Sequence, residues 1–451
     1  MRNRRILFIV RSSESLYYMR SIVNSMLSRN FEAIFLFATD YDKTPAGQTK
    51  LKMVMDSFDR KDLKYDFAVK RKDFWAKSLY IIRELLDLRR FFLAKSKSSF
   101  YMNLARVRMF PISIKIGENK FFKAIIKLKI FEGFVKLLEK IEPVSKDISR
   151  HIATHNPDAL FLSPTSLNRE SFEYMKAAKW LGIKTVYFVP TWDNLTTKAY
   201  IHVCPDKFFV WNKEQEKEAL VSHNVPKERI IITGAAIFDQ LFEKRRSSPR
   251  ELFCRNNSLD NLKPIVVYLG SSKKVAKDES WVVKRVRDDL DKSGLQDVQI
   301  IIRPHPGNVD IYQKLGLRNT VILPARSVAP HSKESVQLFY DTISHSLCAL
   351  LGVNTSAAID VIILGKQVVT IDTDEYRDTQ RETTHFKELI SSDVLKFSKL
   401  DEVGTLIREI ISGADYKKIQ REKFIRDFIR PRGLNRPAGE VVADELESFL
   451  S

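Results

Sequence analysis

Short apolar runs alternate with amphipathic stretches over most of this chain. That is the pattern of strands buried on both faces and connected by helices. Arg5–Val10 predicts a first buried strand, Arg11–Ser15 a polar turn, the residues to about Leu27 a helix, and Ala33–Ala38 the next strand. A strand, helix and strand in so short a span predict a parallel sheet. The alternation resumes at Ala159–Leu162, passes through a helix to Ala178, and gives strands at Thr185–Val189, Lys207–Val210 and Ile230–Thr233. The stretch Lys244–Lys263 is polar and basic and predicts a connection. A second α/β set opens at Ile265–Leu269 and includes the runs Val298–Ile302 and Leu347–Leu351. From about Asp415 the pattern is helical, broken at Arg430-Pro431-Arg432-Gly433.

One region departs from this alternation. From Val69 to Lys146 the period is helical throughout, and aromatic and aliphatic residues are interleaved with Lys and Arg. Nineteen basic residues face seven acidic ones there, so most of the formal net charge of +19 lies in this segment. Charge of this kind speaks to partners rather than to fold. A basic amphipathic segment predicts docking on an anionic membrane surface, against the plainer alternative of helices packed on the first domain with a solvated basic face. Nucleic acid is disfavoured, because the charge is confined to one helical stretch and no recognised nucleic-acid module is present.

At 451 residues the chain is too long for one core and fits two domains. No stretch is long and apolar enough to predict a transmembrane helix. The basic and then apolar N-terminus resembles a signal peptide, but its apolar run is too short, and a buried strand is expected instead. Three widely spaced cysteines, Cys204, Cys254 and Cys348, predict neither a disulfide framework nor a metal site and fit a reducing cytoplasm.

The candidate chemistry lies mostly in the second half. Val298–Ile302 ends at Arg303-Pro304-His305-Pro306, and Leu347–Leu351 ends at Gly352, Asn354, Thr355 and Ser356, where a helix must begin. Free N–H groups and hydroxyl caps at a helix start suit a phosphate. Parallel sheets collect ligands outside the carboxyl ends of their strands. Arg303 and His305 alternate, so their side chains can point the same way and add charge to that site. Gly270-Ser271-Ser272 follows a strand and can approach a ligand, although the same tripeptide is also a common turn. Asp360, one turn into its helix, can accept from a ribose diol or simply stabilise the helix start. In the first half, Trp192-Asp193-Asn194 follows a strand, and Asp193 is the candidate general base, with an Asx-turn as the alternative. His385 follows the last strand of the second half and is expected to reach the same site. Asp372 and Asp374 have the spacing of a cation-holding pair, but two such aspartates at a strand end arise often by chance, and no metal ligand is assigned.

Taken together these residues resemble the GT-B superfamily, which includes UDP-N-acetylglucosamine 2-epimerases and CDP-glycerol glycerophosphotransferases. Asn354-Thr355-Ser356, Asp360 and Leu364–Val368 fall at the epimerase spacings, and Arg303–Pro306 is similar to the RPHP strand end of the glycerophosphotransferases. A closer resemblance is to a branch of bacterial surface-carbohydrate proteins. It is carried by Thr191–Lys198, Phe209–Ala219, Thr233–Asp239, Tyr268–Ser272, RPHPGN, GVNTSAAID, Thr379–Phe386 and Phe428–Ala438. The epimerase glycine pair is replaced by Thr355-Ser356, and the first catalytic histidine loop of the glycerophosphotransferases by Trp192–Leu195.

The resemblance implies two Rossmann-like domains facing a central cleft. Residues 1–244 would form an acceptor domain with a basic helical insertion at about 69–146, and 245–263 a linker. Residues 264–414 would form a nucleotide-binding domain, and 415–451 a helical tail. It also implies a metal-independent, cofactor-free glycosyltransferase moving a sugar from a nucleotide-sugar to a lipid-linked or polysaccharide acceptor at the inner face of the plasma membrane. The alternatives are a CDP-polyol phosphotransferase or 2-epimerase-like enzyme, or a non-catalytic nucleotide-sugar-binding assembly protein. His305, Asp193 and Arg303 would be catalytic. Gly270, Ser271, Ser272, Asn354, Thr355, Ser356, Asp360, Asn194, Gln380 and His385 would bind the nucleotide or substrate.

Overall fold

The computed structural model describes residues 3–58, 63–94, 98–163, 169–243, 247–325, 333–353 and 355–451. The chain forms two compact units. The first comprises Met1–Lys95, Tyr101–Gln240 and Arg426–Ser451, and the second Leu241–Ile425 with Ser96–Phe100.

In the first unit seven strands form one parallel sheet: β1 (Arg4–Val10), β2 (Phe31–Phe37), β3 (Lys64–Phe67), β4 (Ala159–Leu162), β5 (Lys184–Phe188), β6 (Lys207–Val210) and β7 (Ile230–Ile232). Their order is β3-β2-β1-β4-β5-β6-β7. The central strands β1, β2, β4 and β5 are apolar at successive positions because helices cover both faces of the sheet, and Ile6 to Ile9 and Ala159 to Leu162 are wholly buried. The apolar N-terminal run is therefore a central strand, as its length predicts.

The second unit repeats the plan with β8 (Ile265–Leu269), β9 (Gln299–Arg303), β10 (Thr320–Ile322), β11 (Cys348–Leu351), β12 (Gln367–Ile371) and β13 (Leu395–Ser398). They run parallel in the order β10-β9-β8-β11-β12-β13. In both sheets the order reverses beside the first strand, at β1/β4 and at β8/β11. A doubly wound sheet opens a ligand crevice at such a switch point.

Three strands have no counterpart in the sequence reading. β3, β10 and β13 are short and only partly buried, so no apolar run marks them. The predicted linker also differs. Arg250–Asn256 is a helix with Phe253 and Cys254 buried, and Arg250 donates to the carbonyls of His345 and Lys263, each at 2.7 Å. Residues 247–263 are thus part of the second unit rather than a free connection. All three cysteines are free.

The helical tail is divided as well. Arg426–Ser451 belongs to the first unit, where Asp239 is its anchor. Asp239 accepts from Arg430 (2.8 Å), Ser21 Oγ (2.6 Å) and the N–H groups of Ala438 (3.0 Å) and Gly439 (2.8 Å). It therefore caps the helix Ala438–Leu450 and holds a buried guanidinium at once. Gly439 is required there, since a Cβ would lie 2.2 Å from Ser21 Oγ. Two of the motifs that carry the family resemblance, Thr233–Asp239 and Phe428–Ala438, meet in this anchor.

The basic segment forms the helices Trp75–Leu93, Phe100–Arg106, Pro111–Glu118, Lys120–Lys127 and Lys129–Ile141. Ion pairs tie it inward. Buried Arg83 pairs with Glu139 (2.6 Å) and Glu173 (2.6 Å), and buried Arg71 pairs with Glu173 (2.9 Å). Among the described residues no helix is long and apolar enough to cross a membrane.

Candidate functional site

The strand register of the second unit lines up the strand ends that carry the candidate residues. Leu351 lies beside Leu269, and Leu269 beside Arg303, so β11, β8 and β9 end in one row at the switch point. Gly270 donates its N–H to Arg303 O at 2.8 Å, and a Cβ on Gly270 would stand 3.2 Å from Pro304 Cα. Gly352 is packed still more tightly, with a hypothetical Cβ at 2.0 Å from Tyr268 Oη. These glycines serve close packing among strand ends and tyrosines.

Arg303 lies over the Phe339 ring at 5.0 Å, and its guanidinium reaches the carbonyls of Leu323 and Ser335 at a long 3.5 Å each. No carboxylate forms an ion pair with it among the described residues. Burial pushes its pKa down to about 10, and the charge of Asp360 opposes that shift. Asp360 lies in the first turn of the helix Ala357–Ile363. Burial raises its carboxyl to about 7, opposed by its own backbone N–H and by Arg303. The two side chains thus feel each other's charge, and the end of β9 and the helix after β11 share one edge of the sheet.

Other predicted residues sit differently. Thr355 Oγ accepts from Ala357 N–H at 3.4 Å, whereas Ser356 occupies the N-cap position with helical backbone angles and makes no side-chain cap. Asn354 lies outside the described residues. His305 is exposed, and its Nδ1 accepts the Gly307 N–H at 3.1 Å. Desolvation of the ring lowers its pKa, which favours neutral imidazole. Ser271 is wholly buried and its N–H is taken by Glu279, while Ser272 starts a turn by accepting from Val275 and Ala276. Gln380 is wholly buried, and neither amide atom finds a partner among the described residues. Thr370 and Thr373 nearby in sequence also bury hydroxyls without a partner. His385 is buried in the helix that follows, Thr384–Ser391. Asp372 and Asp374 pair with Arg381 and Arg377.

In the first unit Asp193 begins the short helix Asn194–Thr197, and its carboxylate accepts from Thr197 Oγ (2.9 Å) and Lys198 (3.4 Å). Its charge helps raise the pKa of Tyr18 and Tyr101, so both phenols lie near it. Thr197, Lys198 and Tyr101 line a cavity of about 480 Å³ with Arg11, Lys70 and Arg108. Asn194 is buried and accepts from Tyr187 Oη at 3.3 Å.

In sequence no family model matches this chain, and no curated protein does. In structure it is similar to an S. aureus MnaA–UDP complex, with a TM-score of 0.55, 13% identity and coverage of 99% of this chain and 97% of that one. It is also similar to a UDP-GlcNAc 2-epimerase from Neisseria meningitidis bound to UDP-GlcNAc (0.54, 11%, 99% and 99%). A glycosyltransferase from Rickettsia africae matches at 0.52 and 11% identity over 100% and 98% of the two chains. The fold is GT-B.

Within this GT-B fold, sequence reasoning missed the groups that hold the site. Wholly buried Glu279 accepts from Tyr268 Oη (2.9 Å) and the Ser271 N–H, and burial raises its pKa. Asn308 ties the same loop down through the carbonyls of Ser271 (3.3 Å) and Ala276 (3.2 Å). Glu279 lies in an ordinary polar loop, so only folding reveals it; Asn308, two residues past the RPHP motif, was within reach.

Asp66, His151 and His155 also come together in the first unit, with donor atoms within 4.8 Å of one another. Tyr174 Oη accepts the Val69 N–H at 2.8 Å and lies 2.6 Å from His151 Nδ1. With the hydroxyl donating to Nδ1, the ring proton sits on Nε2 and faces Asp66 at 3.1 Å. The cluster ties β3 to the helix Lys146–His155.

Proposed function

We propose that this chain is a glycosyltransferase that moves a sugar from a nucleotide-sugar to a lipid-linked or surface-polysaccharide acceptor at the inner face of the plasma membrane. The nucleotide diphosphate sits at the β8/β11 switch point. The carrying observation is Arg303, a largely desolvated cation without an ion-pair partner among the described residues, at the edge where such a sheet binds ligands. A diphosphate leaving group gains negative charge as the sugar bond breaks, and a preorganised cation stabilises that charge most in the transition state. Asp360 accepts from the ribose diol, neutral His305 donates to a phosphate oxygen, and Gln380 supplies its buried amide. Asp193 is the acceptor-side base, and no divalent ion is needed. The UDP and UDP-GlcNAc complexes among proteins of this fold support the nucleotide class.

The likeness to 2-epimerases favours a second reading, an epimerase-like reaction at the same donor site. A thermal-shift panel of UDP, GDP, CDP and CMP tests the shared premise. A nucleoside diphosphate should raise Tm, and Arg303→Met should abolish the shift. No response to any nucleotide would overturn both readings, and product analysis with the preferred nucleotide-sugar separates them.

A further inference from the structure

The helix Lys129–Ile141 is apolar on two sides: Val135 is buried among Leu86 and Tyr200, and a second apolar row faces solvent. Its carboxylates point inward. Glu132 pairs with Arg89 (3.1 Å) and accepts from Tyr200 Oη (3.0 Å), and Glu139 pairs with Arg83 (2.6 Å) and Lys176 (3.5 Å). Both glutamates are buried. Its outward face carries Ile130, Phe134, Leu137 and Ile141, which are 78%, 55%, 54% and 68% exposed. These positions are spaced four, three and four residues apart, so they form one continuous stripe. The preceding helix, Lys120–Lys127, adds exposed Phe121 and Phe122.

An amphipathic helix in water turns its apolar stripe to the core and its charges to solvent. Here the inward ion pairs of Glu132 and Glu139, with buried Val135 between them, fix the orientation of the helix, so the exposed stripe is not slack in the packing. A contiguous apolar patch with a polar rim marks an interaction surface. The rim identifies the partner. Between Lys120 and Ile141 the exposed charged residues are Lys120, Lys127, Lys129 and Lys140, and no carboxylate is exposed. Apolar side chains of this size flanked by these lysines match an anionic lipid surface, in which rings and aliphatic chains enter the headgroup boundary while ammonium groups stay with the phosphates.

We infer that the outward faces of Lys120–Lys127 and Lys129–Ile141 dock this protein on an anionic bilayer. The surface lies wholly within the first unit, and the inference stands apart from the nucleotide reading. Docking presents the first unit to amphiphilic substrates held in the membrane plane.

The test is co-sedimentation of the full chain with phosphatidylglycerol vesicles and with phosphatidylcholine vesicles. Binding to the former at low salt, weakening as salt rises, and little binding to the latter are expected. An Ile130→Ser/Phe134→Ser/Leu137→Ser variant should lose at least about tenfold in partitioning. Lys127→Glu/Lys129→Glu should lose about as much at low salt. Both variants change exposed positions and should melt like the parent. Three results would overturn the inference: a parent that stays in the supernatant, binding unchanged in both variants, or a concentration-dependent dimer that the serine variant abolishes, which would make the stripe a self-association face.

Discussion

Replacing Asp360 with asparagine should stabilise the protein at alkaline pH while weakening nucleotide binding. The carboxyl of Asp360 is raised from an ordinary 3.8 to about 7, first by burial, with its own N–H and Arg303 opposing. The folded state therefore holds this proton more tightly than the unfolded chain. Between about pH 4 and pH 7 the folded state binds more protons, so stability falls as pH rises through that window. A carboxyl held at about 7 instead of 3.8 sets an upper bound of about 4 kcal/mol above pH 7. The side chain is partly exposed and asparagine forfeits the attraction to Arg303, so about 1–2 kcal/mol is the expected net gain. For a unit of this size that is about 2–8 °C in Tm. Parent and Asp360→Asn melting curves, recorded without ligand from pH 4 to pH 8, should converge at the acid end and separate at the alkaline end. The variant should also lose most of its nucleotide-induced shift, because stability gained at a binding residue trades against function. A variant less stable than the parent at pH 8, or a gap that does not change with pH, would refute the reasoning.

Removing the tail anchor with Asp239→Ala leaves Arg430 buried without its carboxylate and uncaps the helix Ala438–Leu450, so a loss of about 3–5 kcal/mol is expected in denaturant melts. Gly352→Ala forces a methyl onto Tyr268 Oη and should cost about 1–3 kcal/mol, with the nucleotide response reduced alongside; an unperturbed melt would show that the row of strand ends can relax. Asp193→Asn keeps the bond from Thr197 but removes the charge, so nucleotide-induced shifts should persist while turnover of the preferred nucleotide-sugar falls at least about 100-fold. Turnover should survive EDTA, and activity lost with chelator and restored by magnesium would count against the metal-free scheme.

Apolar runs were enough to place the well-buried strands, because a strand covered on both faces has no freedom to be polar. Arg4–Val10, Ala159–Leu162 and Ile265–Leu269 are legible for that reason. The edge strand Lys64–Phe67 is not, since half of its residues face water and any side chain fits there. The chemical types at the strand ends were equally legible: Arg303 and Asp360 stand where the pattern put a cation and an acid near a helix start. Burial, by contrast, is not written locally. Ser271 and Asn194 are polar and follow strands, but the folded chain takes Ser271's N–H for Glu279 and Asn194's amide oxygen for Tyr187. The helical period of Lys129–Ile141 was plain, yet a period assigns two faces without saying which one turns outward. Arg83 and Arg89, some fifty residues earlier, draw Glu132 and Glu139 inward and leave the apolar stripe in solvent. Local sequence determined the elements and the chemistry they carry; long-range ion pairs and close packing decided which of those groups remain free to act.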